Sequence, residues 1–399
     1  MTSMQADPKP IYLDHAATSP LRPEVWGAMD AVRSCAFNPV SPHAFGRRAH
    51  ECLEDARAAL GELLGCSRHA LTFTGGGTES DNLAILGFAR ANLDRGPCLI
   101  LSAIEHMACL EAAKRAEIEG AEVRLLPVDR HANVRLDALQ TALEESAGRP
   151  TLVSIMWANN EVGSVQPMAE IARLARQHGA LLHTDAVQAL GKEDISLARL
   201  PVDLLTATAH KLGGPVGIGL LYRREGVALQ PLTFGGSQEG RLWPGTQNPL
   251  AAAGLACAVQ LAVREQADHA KRWSRLRDDL AARLRQGIPG LVVHAEGADH
   301  RLPNLLSVGI RGCDPGALLL ALDLEGIAVS GGSACSSGSA KGSHVLAAMG
   351  VSREEEYATV RFSFGPGNSA REVERAAASM VRATSRILAG TRNRAASDA

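Results

Sequence analysis

The sequence predicts an α/β protein, with a mostly parallel central sheet flanked by helices and a smaller α+β domain behind it. Two observations predict this class. Up to about residue 250, short runs that are apolar throughout alternate with amphipathic segments. Such runs fit strands covered on both faces, and the segments between them supply the crossovers of a parallel sheet. After that point the rhythm changes to a long helical stretch and then shorter strands. The break places a large α/β domain at residues 16–255 and a small α+β domain at 1–15 with 256–390. Residues 391–399 read as a flexible, solvated tail.

Composition excludes several function classes. A chain of 399 residues buries a large core without disulfide or metal staples. Hydrophobic residues at 46% and charged residues at 21% argue against disorder. A net charge of −2 carries neither the basic footprint of a nucleic-acid binder nor a polybasic membrane patch. Aromatics at 4% argue against a base-stacking platform. The longest apolar stretch, 250–259, is about half a bilayer span, and residues 1–10 lack the apolar core of a secretory signal. The eight cysteines form no C-x-x-C pair, which argues against structural zinc. Their scatter fits a reducing cytoplasm.

The elements follow in chain order. The strand run 71–74 leads into Thr74-Gly75-Gly76-Gly77-Thr78-Glu79-Ser80 and a helical pattern at 82–93. Glycines admit a ligand close to the backbone, and a helix start offers free N–H groups to an anion. Neither G-x-G-x-x-G nor a P-loop is present, so the segment is a phosphate loop of another kind or a plain loop capped by Thr78. The strand run 98–102 is followed by His106, a histidine that is structural or catalytic, and by a helical pattern at 109–119. Strand runs at 123–127 and 152–157 come next. The latter ends in Trp157-Ala158-Asn159-Asn160-Glu161-Val162-Gly163, whose paired amides hold a polar ring substituent or make a turn. After a helical pattern at 169–178, the run 180–184 reaches His183-Thr184-Asp185-Ala186-Val187-Gln188. An acid at the carboxyl end of a parallel strand lies where α/β sheets bind ligands, or it caps the next turn.

The run 204–208 leads into Thr208-Ala209-His210-Lys211-Leu212-Gly213-Gly214-Pro215, before a strand at 217–222. Burial of Lys211 would favour the neutral amine that a Schiff base needs, whereas a snorkelling lysine would do nothing. The long helical stretch covers 250–286, with strands near 305–310 and 360–364. Arg361 clamps a carboxylate or is a surface strand residue. Residues 330–343 are glycine, serine and alanine except for Cys335 and Lys341. Such a segment buries little and stays mobile, so Cys335 reads as a reactive thiol. The other seven cysteines lie in helix-like or strand-like segments and read as packing residues.

Together, the phosphate loop, strand-end acid, buried lysine and mobile cysteine resemble the cysteine desulfurases, the NifS/IscS-like branch of fold-type I pyridoxal-phosphate enzymes. The match runs from Tyr12-Leu13-Asp14-His15-Ala16-Ala17-Thr18 to Arg361-Phe362-Ser363. Residues 73–82, Glu105-His106, 157–163, 183–188, His210-Lys211 and 330–336 stand in family order. The long segment around Cys335 resembles the extended-loop class, not the short-loop SufS-like class.

The resemblance implies pyridoxal 5'-phosphate as cofactor, held covalently by Lys211. It implies that Asp185 pairs with the ring nitrogen, His106 stacks on the ring, and Asn160 and Gln188 bond its phenolic oxygen. Gly77, Thr78, Thr208 and His210 would hold the phosphate. Thr246 would reach the phosphate of a neighbouring subunit in a homodimer. Arg361 and Asn160 would receive the carboxylate of L-cysteine, Lys211 would move the Cα proton, and Cys335 would carry the sulfur as a persulfide. L-Alanine would leave, and a sulfur-acceptor protein, an iron–sulfur scaffold or another carrier, would take the sulfur. No resident metal is implied, beyond Cys335 as a transient iron–sulfur ligand. The chain departs from the family pattern at Trp243, Pro244 and Ser237, near the inter-subunit phosphate contact, and at Val216. Selenocysteine lyase, a tRNA-thiolation sulfur donor and a non-catalytic sulfur or iron carrier are the alternatives on the same fold.

Overall fold

The structure is a computed structural model and describes residues 9–331, 342–351 and 357–397. Its elements in chain order are β1 (Ile11–Tyr12), α1 (Pro23–Ala31), α2 (Ala44–Leu64), β2 (Leu71–Thr74), α3 (Gly77–Ala91), β3 (Cys98–Ser102), α4 (Met107–Ile118), β4 (Glu122–Leu126), α5 (Leu136–Glu145), β5 (Thr151–Ser154) and α6 (Met168–Gln177). They continue with β6 (Leu181–Asp185), β7 (Leu204–Thr208), β8 (Gly219–Arg223), α7 (Pro249–Gly287), β9 (Val292–Val293), β10 (Leu305–Arg311), α8 (Pro315–Leu324), β11 (Ile327–Ala328), α9 (His344–Ala348), β12 (Tyr357–Ser363) and α10 (Ala370–Ser397).

The central sheet has seven strands in the order β2-β8-β7-β6-β5-β3-β4. Only β8 runs antiparallel to its neighbours. The strands are apolar throughout because both faces are covered. Ile100, Val153, Leu182 and Leu205 point into one core, with α2, α5 and α6. Leu99, Leu101, Leu152 and Leu204 point into the other, with α3 and α4. Polar side chains enter the buried strands toward their carboxyl ends: Thr74, Ser102, Ser154, Thr184, Asp185 and Thr208. A further core surrounds the antiparallel sheet β12-β10-β9, packed by α8, α10 and the second half of α7. Short β1 pairs with β11 and delivers Ile11 and Leu13 to that core.

Several helix starts are written in the local sequence. Asn248 accepts from Ala251 N–H at 3.0 Å with Pro249 in the first turn, and Asp314 does the same for Ala317 at 2.6 Å with Pro315. The α2 helix ends at Gly65, whose φ of +73° is the left-handed cap that glycine supplies.

Two expectations are corrected. The described part of the tail, 391–397, is not coil: α10 is helical to Ser397, as a segment rich in arginine and alanine allows. Cys35 and Cys52 are not isolated packing residues: their side chains face each other, with Cα atoms 6.7 Å apart. They lie 17 residues apart, and the turn that follows α1 brings Cys35 against α2. Among the described residues, no helix is long and apolar enough to cross a membrane.

The turn at residues 238–241 is held by a buried ion pair. Arg57 donates to both Glu239 oxygens at 2.8 Å and lies 4.5 Å over the Phe73 ring. Glu239 also accepts from Phe73 N–H at 2.9 Å and Gln247 Nε2 at 2.6 Å. These bonds hold Glu239 at φ +49°, a conformation that a side chain resists. Glu239→Ala takes the bidentate partner from Arg57 and leaves it Glu54 and the Leu71 carbonyl, so urea denaturation is expected to show a loss of about 3 kcal/mol.

Candidate active site

The carboxyl ends of the parallel strands meet the N-terminal segment 14–19 at one edge of the sheet. Lys211 lies in the short turn after β7, which Gly213 closes at φ +76°. Its Nζ donates to Ala16 O at 2.8 Å and Ala17 O at 2.5 Å. Asp185 ends β6 with 6% of its surface exposed and accepts from Val187 N–H at 2.8 Å. Burial pushes its pKa up, while His106 and Lys211 pull it back down. His106 caps α4, its Nδ1 accepting from Ala108 N–H at 3.2 Å. Burial lowers its pKa, against the pull of Asp185, and an Nδ1 that accepts from a backbone N–H leaves the ring proton to Nε2. The three sequence-predicted groups therefore stand within one another's field.

The loop Thr74–Gly77 presses on the antiparallel strand. A Cβ on Gly219 would sit 2.5 Å from the Gly76 carbonyl carbon, so the two backbones are in contact. Gly76 supplies no side-chain cap to α3, which leaves first-turn N–H groups of a 15-residue helix for an anion. Gly77 faces Val187 and Thr208, at 3.0 and 3.9 Å from its built Cβ, so the helix start, the Asp185 loop and the end of β7 line one space. Thr78 stands one residue further along. The Thr208 hydroxyl donates to Ile218 O at 3.0 Å, and His210 Nδ1 lies 3.2 Å from Thr18 Oγ1. Burial lowers the His210 pKa to about 4.

Gln188 donates from Nε2 to Ala16 O at 2.9 Å. The Asn159 side chain builds the 157–163 turn, accepting from Glu161 and Val162 N–H at 2.8 and 3.0 Å, and the main-chain carbonyl of Asn160 accepts from Arg361 Nη1 at 2.8 Å. Arg361 is no surface residue: it is 1% exposed and bonds Asp14 Oδ1 through Nη2 at 2.9 Å. Thr246 is exposed on the segment before α7. Trp243 packs against a core, and Ser237 is exposed. Cys335 lies outside the described residues. On either side of it, Ser330 pairs with the backbone of Arg361, and Ser343 Oγ donates to Glu161 Oε2 at 2.5 Å. Burial raises the Glu161 pKa to about 7.

Sequence reasoning missed Asp14, Asp81 and Lys192. Asp81, Cys109 and Asp185 bring ligand atoms within 4.8 Å of one another. Burial raises the pKa of all three. Lys192 borders a cavity of about 560 Å³ together with Lys211, His15 and Trp273. Its spacing of four residues from Gln188 was the available signal.

An amine, a buried carboxylate, a neutral histidine and an uncapped helix start match an aldehyde, a ring nitrogen, a ring face and a phosphate. The donor set fits pyridoxal phosphate, and fold and site together define a fold-type I pyridoxal-phosphate enzyme. Comparison with known proteins narrows the class. Residues 11–376 match the aminotransferase class-V family. The cysteine desulfurase IscS of Dictyoglomus turgidum is 40% identical over 356 residues, 89% of this chain and 89% of that protein. The solved structure of a NifS-like protein superposes with a TM-score of 0.86 at 35% identity, covering 94% of this chain and 98% of its own. SspA in complex with cysteine gives 0.76 at 30%, covering 90% and 100%. The chain belongs to the class-V aminotransferase family, in its IscS/NifS cysteine desulfurase branch.

His183, two residues before Asp185, bonds Ser154 Oγ at 2.8 Å and Thr206 Oγ1 at 3.1 Å, and burial lowers its pKa from 6.5 to about 3. The unfolded chain therefore binds the extra proton, and the stability this group contributes is lost as pH falls from 6.5 toward 3. Relative to His183→Asn, wild type is expected to lose about 1.4 kcal/mol per pH unit across that window, read from urea midpoints.

Proposed function

We infer that this chain is a pyridoxal-phosphate-dependent cysteine desulfurase that converts L-cysteine to L-alanine and passes the sulfur to an acceptor. The observation that carries the reading is Lys211 at the end of β7, within the field of Asp185 and His106, beside the open start of α3. Bound there, pyridoxal phosphate supplies an electron sink for negative charge at the substrate Cα.

The chain's own groups do the rest. The Gly77–Thr78 helix start, with Thr208 and His210, would hold the phosphate. The Asp185 carboxylate would pair with the ring nitrogen, His106 would lie on the ring face, and Asn160 and Gln188 would hold the phenolic oxygen. The Lys211 amine would attach the ring and move the Cα proton. Arg361 and Asn160 receive the substrate carboxylate. Among the described residues the buried Arg361 Nε–H has no partner, which leaves a donor for it. The Cys335 thiolate bonds to the substrate sulfur, the Cβ–S bond breaks with its electron pair on carbon, and Cβ takes a proton.

We extend the reading to a cytoplasmic homodimer in which Thr246 reaches the neighbouring subunit's phosphate, and to a sulfur-acceptor protein as partner, an iron–sulfur scaffold or another sulfur carrier. The two kinds of core support a large domain at 16–255 and a small one at 1–15 with 256–390.

Lys211→Ala is expected to remove the visible absorption band of the cofactor-loaded protein. An unchanged spectrum would count against the assignment. Cys335→Ser is expected to keep that band and its response to L-cysteine while sulfide release falls to background; full turnover would sink the role of Cys335.

A further inference from the structure

Lys192 is a lysine with 5% exposure, and its side chain is spent on one residue. Nζ donates to the main-chain oxygen of Gln188 at 2.8 Å and to its Oε1 at 3.1 Å. The Lys192 carbonyl is itself held by Gln266 Nε2 at 2.8 Å. On its other side, the Gln188 amide donates from Nε2 to Ala16 O at 2.9 Å, the same oxygen that takes Lys211 Nζ. Main-chain oxygens only accept, so Nε2 is the atom that faces Ala16 O, and Oε1 is the atom left to take an Nζ–H. The pair of contacts therefore permits one orientation of the amide and leaves one Nε2–H for a further acceptor.

We propose that Lys192 is a positioning residue that locks the Gln188 amide so that its remaining N–H points at the phenolic oxygen of the cofactor. This rests on the assignment of Gln188 to that oxygen. The lock has an electrostatic consequence. Lys192 faces the cations Lys211 and Arg361, the carboxylate Glu193 and the His15 ring, whose pKa it helps to lower. Burial and the two cations bring its own pKa to about 7. A donor on the phenolic oxygen favours the deprotonated form of the nitrogen contributed by Lys211. Removing Lys192 therefore strengthens proton binding there.

The test is a spectral pH titration of the cofactor-loaded protein, followed through its visible band. Lys192→Met is expected to raise the midpoint by about one pH unit, a tenfold gain in proton affinity, and Lys192→Arg, which keeps the donors, to titrate with wild type. If Lys192→Met does not fold, Lys192→Gln carries the comparison, its shorter neutral side chain giving a shift of the same sign. A midpoint unchanged on losing the lysine overturns the proposal. Gln188→Leu separates the two readings: it is expected to raise the midpoint as well, and a midpoint unmoved there overturns the Gln188 assignment itself.

Discussion

A buried guanidinium cannot be left without partners, and Arg361 is the place where this protein meets that constraint. It stands on β12, in register with Ser307 of β10 and bridged to Ser330, so the small antiparallel sheet carries it. Its head reaches Asp14 in the N-terminal segment and the Asn160 carbonyl after β5. One cation thus ties together the N-terminal segment, the central sheet and the second core. Losing either partner would leave charge in a low-dielectric interior, a strongly destabilising outcome. The group that would grip a substrate carboxylate is also the group that holds the parts of the site in register.

A second constraint is the crowding of ionisable groups at the strand ends. Asp81, Glu105, Asp185 and Glu161 all have raised pKa values, because each is buried at the edge of the sheet. Histidines nearby have lowered ones for the same reason. Burial here shifts acids up and bases down alike. Asp185 feels His106 and Lys211 across a buried interior of low dielectric. Its neighbourhood suits a cationic ring nitrogen better than it suits solvent.

Much of this was legible in the residues. The strands at 71–74, 98–102 and 204–208 sit where unbroken apolar runs placed them, since both faces are covered. The Gly75–Gly77 loop, Asp185 and Lys211 stood out as chemistry-bearing residues at the ends of such runs. Other features were hidden. The α2 helix buries a narrow stripe, Ala49, Leu53, Leu60 and Leu64, among charged residues, so its pattern reads weakly. The Cys35–Cys52 pair depends on how a turn folds back after α1, which spacing does not reveal. The burial of Lys192 was hidden as well, because it comes from α7 and the N-terminal segment packing over it.

By itself the sequence determined the alternation of strands and helices, the polar residues that end the strands, and the identity of the groups able to do chemistry. These follow from local rules: apolar periodicity, glycine geometry and side-chain type. Only the tertiary structure decided which groups share a field, that Arg361 is buried with Asp14 for a partner, and that Lys192 orients Gln188. Those outcomes depend on desolvation and on contacts between residues as far as 347 positions apart, such as Asp14 and Arg361. Proton affinity and hydrogen-bond geometry are properties of such assembled surroundings, and no short stretch of chain contains them.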